Sequence, residues 1–127
     1  MLLGPRRGRF DDEGNPQVLA PSSLPIVTLG TFILWFGWFG FNAGSTLQLS
    51  GNFHIMAGRC VVNTTLSAAA GGLTAMGIVK AVKHKYSDGA FCNGILGGLV
   101  GITAGCNAVD TWAAVLIGVL SGIQNCT

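Results

Sequence analysis

The chain has 127 residues, of which half are hydrophobic and 9% are charged, and its formal net charge at neutral pH is +2. A soluble domain usually carries about 25% charged residues, so this composition argues against a water-exposed globular surface. The charges are also unevenly placed, because Arg59 is the only charged residue between Glu13 and Lys80, and Asp110 is the only one after Asp88. We therefore predict an all-α fold, a polytopic membrane helical bundle.

Residues 1–23 contain basic and acidic side chains with Pro and Gly turn signals, and they predict a polar loop. Four apolar windows follow, each near the roughly 20 residues that a membrane-spanning helix needs. The predicted spans are about 24–45, 60–80, 90–106 and 111–127, and together residues 24–127 form one membrane domain. A soluble protein with an apolar core and a secretory signal peptide are the alternatives. Four successive windows argue against the first, and the lack of a small-residue cleavage site argues against the second.

The positive charges favour one orientation of these spans. If the spans alternate in direction, Arg59 lies on one side of the membrane and the other six Lys and Arg residues lie on the opposite side. Because Lys and Arg in short loops mark the cytoplasmic face, we expect the N-terminus and the 80–88 loop in the cytoplasm and the 107–110 turn outside. We expect an integral protein of the plasma membrane, with the lipid bilayer as a partner and no nucleic-acid partner.

The first span mixes aromatic rings with glycines. On a helical wheel of about 100° per residue, one stripe contains Leu34, Trp38, Phe41 and Ser45, and a second contains Gly37, Gly40 and Gly44. The glycine stripe predicts a closely packed face. The aromatic stripe ends in a hydroxyl and suits a mouth for a small cation, since ring faces attract cations and a hydroxyl oxygen accepts hydrogen bonds. An ordinary aromatic helix at a membrane interface remains the alternative.

The other three spans are rich in small residues. Glycines recur at intervals of four, at positions 94/98, 97/101, 101/105 and 118/122, and the second span contains the run 67–72, SAAAGG. Lipid offers no hydrophobic gain for helix association, so small residues act by letting backbones approach closely. We predict that these helices bury extensive faces against other helices of a larger, compact bundle, with generic membrane packing as the alternative.

Catalytic chemistry has little support in the sequence. Apart from Lys80 at the very end of the second span, no span contains Asp, Glu, Lys or Arg, and both histidines, His54 and His84, lie in predicted loops. The four cysteines (positions 60, 92, 106 and 126) follow no metal spacing, and cysteine in apolar spans usually acts as a small hydrophobe. A disulfide between Cys60 and Cys106, both near outer span ends, is left open. We predict no enzyme, no cofactor and no metal site.

One segment has a specific likeness. Residues 29–45, LGTFILWFGWFGFNAGS, closely resemble the sixth transmembrane helix of the ammonium transporter (Amt/Rh) family. Residues 62–65, VNTT, resemble the start of the seventh helix of that family, and residues 93–106 are similar to its eighth. The opening residues 3–10 look like the end of its fifth helix and the cytoplasmic exit. The resemblance covers essentially the whole chain in order.

The resemblance implies a homotrimeric membrane protein with one pore for ammonium or ammonia in each subunit. Subunits of that family have about eleven helices, five of them related to the next five by inverted topology. By matching position, Phe41 would be one ring of a stacked phenylalanine gate, and Ser45 would belong to the outer recruitment site for ammonium. Trp38 and Leu34 would line the pore below, with Trp38 also in contact with substrate.

Two pore histidines of the family come from its fifth and tenth helices, and by this resemblance the chain contains only the end of the fifth and nothing of the tenth. We therefore expect an incomplete piece that covers roughly helices six to nine of a larger ammonium carrier and does not conduct alone. The alternative is a non-transporting membrane interaction protein that associates with full-length carrier subunits.

Overall fold

A computed structural model describes residues 4–17, 23–46 and 53–125. These residues contain four helices: α1 (Leu24–Gly44), α2 (Phe53–Lys83), α3 (Asp88–Ile102) and α4 (Thr111–Gln124). Within the described ranges, extended pairing is limited to one isolated bridge between Phe10 and Pro16. The prediction of an all-α fold is confirmed.

Some helix ends differ from the predicted spans. α2 begins at Phe53, before the predicted start at 60, so the prediction that His54 lies in a loop is wrong. The predicted start at residue 60 is the edge of the charge-free window that follows Arg59. A charged residue does not end an α-helix, so α2 continues through Arg59 back to Phe53. α3 ends at Ile102, and tight turns follow, with the Gly105 N–H donating to the Ile102 carbonyl. Residues 126 and 127, the predicted end of the last span, lie outside the described residues.

Two of the described helices are long and apolar enough to cross a membrane, namely α1 and residues 54–83 of α2. The apolar helices α3 and α4 have 15 and 14 residues. At 1.5 Å per residue they span roughly 20 Å, less than the hydrocarbon thickness of about 30 Å. After α3 ends, the chain continues in turns to the end of the bundle at which α4 begins.

Small residues join α2, α3 and α4, as predicted. A Cβ atom added to Gly94 would lie 2.5 Å from the Gly71 carbonyl oxygen, and one added to Gly122 would lie 2.6 Å from the same atom. Gly98 and Gly118 both face the backbone of Ser67 in the same way. Since there is no room for a side chain at these contacts, the glycines allow α2 to lie directly against both neighbours. Along α2, Ser67 and then Gly71 meet Gly98 and then Gly94 of α3, so these two helices are antiparallel. The same two residues meet Gly118 and then Gly122, so α2 and α4 are parallel.

α1 packs through a different face from the predicted one. A Cβ atom added to Gly37, Gly40 or Gly44 would meet nothing within 4 Å, so the prediction of close packing through these glycines is wrong for the described part of the chain. The buried positions Thr31 and Asn42 lie on the other side of the helix. Trp35 and Trp38 pack there against a core of Ala68, Ile95 and Leu99. Large aromatic rings and polar side chains fill the space between α1 and the other helices, so the helix backbones do not approach closely there.

The described part of the N-terminal loop is organised around Asp11. Its Oδ1 atom accepts hydrogen bonds from the backbone N–H groups of Asn15 at 2.7 Å and Glu13 at 3.1 Å. These bonds, led by the one from Asn15, lower the pKa of the Asp11 carboxyl below its usual value of 3.8. The turn signals in the sequence thus correspond to a hydrogen-bonded loop.

Candidate functional site

The predicted aromatic stripe forms one wall of an open groove on α1. Leu34, Trp38 and Phe41 border this groove with Ile33 and Gly37, and its volume is about 290 Å³. The ring centroids of Trp38 and Phe41 are 6.1 Å apart, and the ring planes are inclined by 51°. The groove wall is almost wholly apolar, and it can accommodate a small neutral molecule better than an ion.

A second, more polar cavity of about 200 Å³ lies beyond Phe41, towards the C-terminal end of α1. Its lining residues come from α1, α2 and the turns after α3: Phe41, Asn42, Ser45, Thr46, Cys60, Thr103, Ala104, Cys106 and Asn107. Phe41 borders both this cavity and the apolar groove. The structure therefore brings the four predicted residues into one continuous surface, with the Phe41 ring between its polar and apolar parts.

Ser45 follows the last residue of α1 and is exposed at the cavity. Its hydroxyl donates a hydrogen bond of 2.5 Å to the Phe41 carbonyl oxygen. Because the only hydroxyl proton is used in this bond, the Ser45 oxygen can act towards a ligand only as an acceptor. This orientation suits a ligand that carries N–H donors.

Thr103 holds the indole of Trp38, a contact that sequence reasoning missed. The Trp38 Nε1–H group donates to the Thr103 Oγ1 atom at 2.9 Å, and the Thr103 hydroxyl donates to the Leu99 carbonyl at 2.8 Å. The two side chains are 65 positions apart in the sequence. No local pattern predicts such a pair, although a buried tryptophan N–H usually has an acceptor.

Asn42 is a second residue that the sequence did not single out. It is buried, and its Nδ2 atom donates to Thr64 Oγ1 of α2 at 2.9 Å. Its Oδ1 atom has no hydrogen-bond partner in the described part of the chain, although the residue lines the polar cavity. Buried polar atoms usually have a partner, so this carbonyl oxygen is an unsatisfied acceptor beside the cavity, although it has almost no accessible surface.

The far wall of the polar cavity is the turn segment 103–110. Asn63 of α2 holds this segment, because its Nδ2 atom donates to the carbonyl oxygens of Cys106 and Val109, each at 2.9 Å. Arg59 and Asp110 form an ion pair of 2.5 Å between the same two elements. The turn is thus fixed to α2 at several points.

The chemistry available at these cavities is binding rather than catalysis. Their lining residues include hydroxyl, amide and thiol groups but no Asp, Glu, Lys, Arg or His. Among the described residues, no three His, Cys, Asp or Glu side chains come together as a metal-binding group. The site offers ring faces and oxygen acceptors without a general base.

Several known proteins are similar to most of this chain. An ammonium transporter from Archaeoglobus fulgidus, Amt2, is 48% identical over 122 residues, which are 96% of this chain and 25% of that protein. The solved structure of a Sensor Amt Protein superimposes with a TM-score of 0.83 at 40% identity and covers 95% of this chain and 29% of the other. The crystal structure of Mep2 from Candida albicans gives a TM-score of 0.75 at 39% identity, over 82% of this chain and 22% of the other.

These relatives are integral membrane transporters and not enzymes, and the chain spans about a quarter of the length of the relatives that it matches. The sequence model of the Ammonium Transporter Family matches residues 1–127. This match over the full sequence, with the shared helical fold and identities near 40%, shows that the chain, an integral membrane protein, belongs to the Ammonium Transporter Family.

Proposed function

We propose that these residues form one wall of a pore that conducts ammonium or ammonia in a larger carrier. The observation that carries this proposal is the position of Phe41 between a polar cavity and an apolar groove. On the polar side, Ser45 presents a hydroxyl oxygen as an acceptor for an N–H donor. On the apolar side, the groove continues along Trp38 to Leu34.

The two sides favour different protonation states of the same small molecule. An ammonium ion in the polar cavity gains a hydrogen bond to Ser45 and a contact with the Phe41 ring, since ring faces attract cations. An ion that moves into the groove loses these partners, and an unpaired charge in apolar surroundings is strongly unfavourable. Ammonium therefore gives its proton to bulk water at the open polar cavity, and neutral ammonia passes Phe41 into the groove beside Trp38 and Leu34.

The whole protein is a homotrimer in the plasma membrane, with residues 1–23 in the cytoplasm. The family supports the trimer by resemblance, and the placement of six of the seven Lys and Arg residues supports the orientation. The direction of the described helices is compatible with it, because α1 and α3 run one way and α2 runs the other.

A chimera tests the proposed pore wall. Residues 1–127 replace the matching quarter of the Archaeoglobus fulgidus transporter, which is 48% identical there. The chimera is produced in cells that lack their own ammonium carriers, and growth on low ammonium is measured. We expect growth. Since a cation–ring contact contributes roughly 0.5–2 kcal/mol, we expect Phe41→Ala to weaken the apparent affinity for ammonium about 2- to 30-fold, and Ser45→Ala to weaken it as well.

Phe36→Ala provides the matched control, because Phe36 lies on the back of α1 with 76% of its surface exposed. Growth and affinity of this variant should equal those of the unchanged chimera. The amount of each protein in the membrane is measured in parallel. A chimera that reaches the membrane at the normal level without supporting growth contradicts the proposal, as does an equal loss in the Phe36 and Phe41 variants.

A second candidate function is association with full-length carrier subunits without transport. The observation in its favour is the outer surface of α1, where apolar side chains such as Ile26, Ile33 and Phe36 are largely exposed. Co-production of the tagged chain with the Archaeoglobus fulgidus transporter tests it. Recovery of both proteins in one detergent complex, with reduced ammonium uptake, supports this function, and separate recovery contradicts it.

A further inference from the structure

Two thiols face each other in the wall of the polar cavity. The Sγ atoms of Cys60 in α2 and Cys106 in the turn after α3 are 3.4 Å apart, and both residues are reduced. They belong to a small apolar cluster with Ile102 and Ala114. The S–S bond of a disulfide is about 2.05 Å long, so side-chain rotation must bring the sulfurs closer by roughly 1.4 Å.

The backbone on both sides of this thiol pair is already held in place. Asn63 Nδ2 binds the carbonyl oxygen of Cys106 itself at 2.9 Å. The neighbour of Cys60 in the sequence, Arg59, forms the ion pair with Asp110. Bonds on either side keep α2 and the turn together, so the two thiols remain close without the aid of a covalent link.

We propose that Cys60 and Cys106 are an oxidation site that forms an intramolecular disulfide between α2 and the 103–110 turn. The pair lies at the end of the bundle that the positive charges place outside the cytoplasm, where disulfides persist. A disulfide is also uncharged, so it suits the apolar cluster around both sulfurs. Cys106 is 6% exposed and borders the polar cavity, which gives a small reagent access to one of the thiols.

The oxidant is a small organic disulfide. The Cys106 thiol loses its proton, and its sulfur attacks the oxidant, which releases one thiol and leaves a mixed disulfide. The Cys60 thiol then loses its proton and attacks the Cys106 sulfur, which releases the second thiol. Both S–H bonds of the protein are broken and one S–S bond forms. The two electrons and two protons pass to the oxidant, whose disulfide becomes two thiols.

Thiol counting on the full, unchanged chain tests the proposal. Membranes that contain the protein are treated with bis(2-hydroxyethyl) disulfide, the protein is denatured, and free thiols are blocked with N-ethylmaleimide and counted by mass. The chain has four cysteines. We expect four blocked thiols in membranes that are first treated with a reductant, two after oxidation, and four again after a second reduction, with a linked peptide pair that contains Cys60 and Cys106 in the oxidised sample. The oxidised protein should also unfold several degrees higher, since the bond restricts the unfolded chain.

Three variants locate the reaction. Cys60→Ala should stop at a mixed disulfide on Cys106 and keep two of its three thiols free, and Cys106→Ala should keep all three. Cys92→Ala, which removes a buried thiol of α3, should still lose two. In the oxidised unchanged chain, four blocked thiols, a stable mixed disulfide, a bond to another cysteine or a link between two chains would each overturn the proposal. None of these outcomes depends on ammonium conduction, so the pore proposal is tested separately.

Discussion

At the scale of single residues, the arrangement of the candidate site depends on contacts between distant parts of the sequence. The order of Leu34, Trp38, Phe41 and Ser45 along one helix face was predictable, since helical geometry alone places them there. The hydrogen bond from Trp38 to Thr103 was not, because it joins α1 to the turn after α3. This bond fixes the ring that lies beside Phe41 and is therefore a positioning contact for the groove.

Replacement of Thr103 by Val removes the acceptor of the Trp38 indole and keeps the shape of the side chain. Side-chain hydrogen bonds in membrane proteins contribute about 0.6 kcal/mol on average, with a maximum near 1.7. We expect a loss of about 1 kcal/mol in the free energy of unfolding. The indole should also become more mobile, measured by fluorescence anisotropy in a chain with Trp35→Phe and Trp112→Phe.

Thr103→Ser is the matched variant that keeps the acceptor, and it should preserve both stability and anisotropy. Thr65→Val removes an exposed hydroxyl that donates to the Val61 carbonyl oxygen of its own helix, and it should leave the Trp38 signal unchanged. Equal anisotropy in Thr103→Val and Thr103→Ser would show that the hydrogen bond does not position the ring.

At the scale of helices, the small-residue pattern predicted some contacts and not others. The pairs 94/98 in α3 and 118/122 in α4 do lie against the backbone of α2, whereas the pair 97/101 faces Ser121 and Asn125. The glycines of α1 show the same kind of spacing but face open space in the described chain. Spacing indicates that a face permits close approach, whereas the choice of partner depends on which other helices are present and on polar contacts such as Asn42 to Thr64.

Two glycine substitutions distinguish a glycine that is packed against another helix from a glycine that faces open space. In Gly98→Ala the new methyl group would meet the Ser67 carbonyl and lie 3.0 Å from Ala68 Cα, and neither backbone atom can move aside easily. Overpacking of this kind usually costs about 1–3 kcal/mol. In Gly40→Ala the methyl group meets nothing within 4 Å, and alanine is a better helix former by roughly 1 kcal/mol.

We therefore expect thermal unfolding in detergent to move to a lower temperature for Gly98→Ala and to stay the same or rise for Gly40→Ala. Circular dichroism at 222 nm follows the loss of helix in both variants. A similar decrease in the two would mean that α1 also packs through its glycines in the isolated chain, contrary to the described arrangement.

At the scale of the whole molecule, charge and helix direction together define two ends of the bundle. Arg59 and Asp110 lie at one end, and Lys80 lies at the other, where its Nζ atom bonds the Tyr86 hydroxyl. The sequence predicted this division from the placement of Lys and Arg alone. It could not predict that the end with Asp110 also contains the polar cavity, because that cavity forms only when α1, α2 and the turn after α3 meet.

The orientation of these ends can be measured with single cysteines in a chain whose natural cysteines are replaced by Ala. Asn107→Cys and Lys85→Cys introduce thiols at exposed positions of opposite ends. Because short positively charged loops remain in the cytoplasm, a membrane-impermeant maleimide should label Asn107→Cys in intact cells and Lys85→Cys only after permeabilisation. The reverse pattern would place the polar cavity on the cytoplasmic side, and labelling of both positions in intact cells would mean that α3, the helix between them, does not cross the membrane.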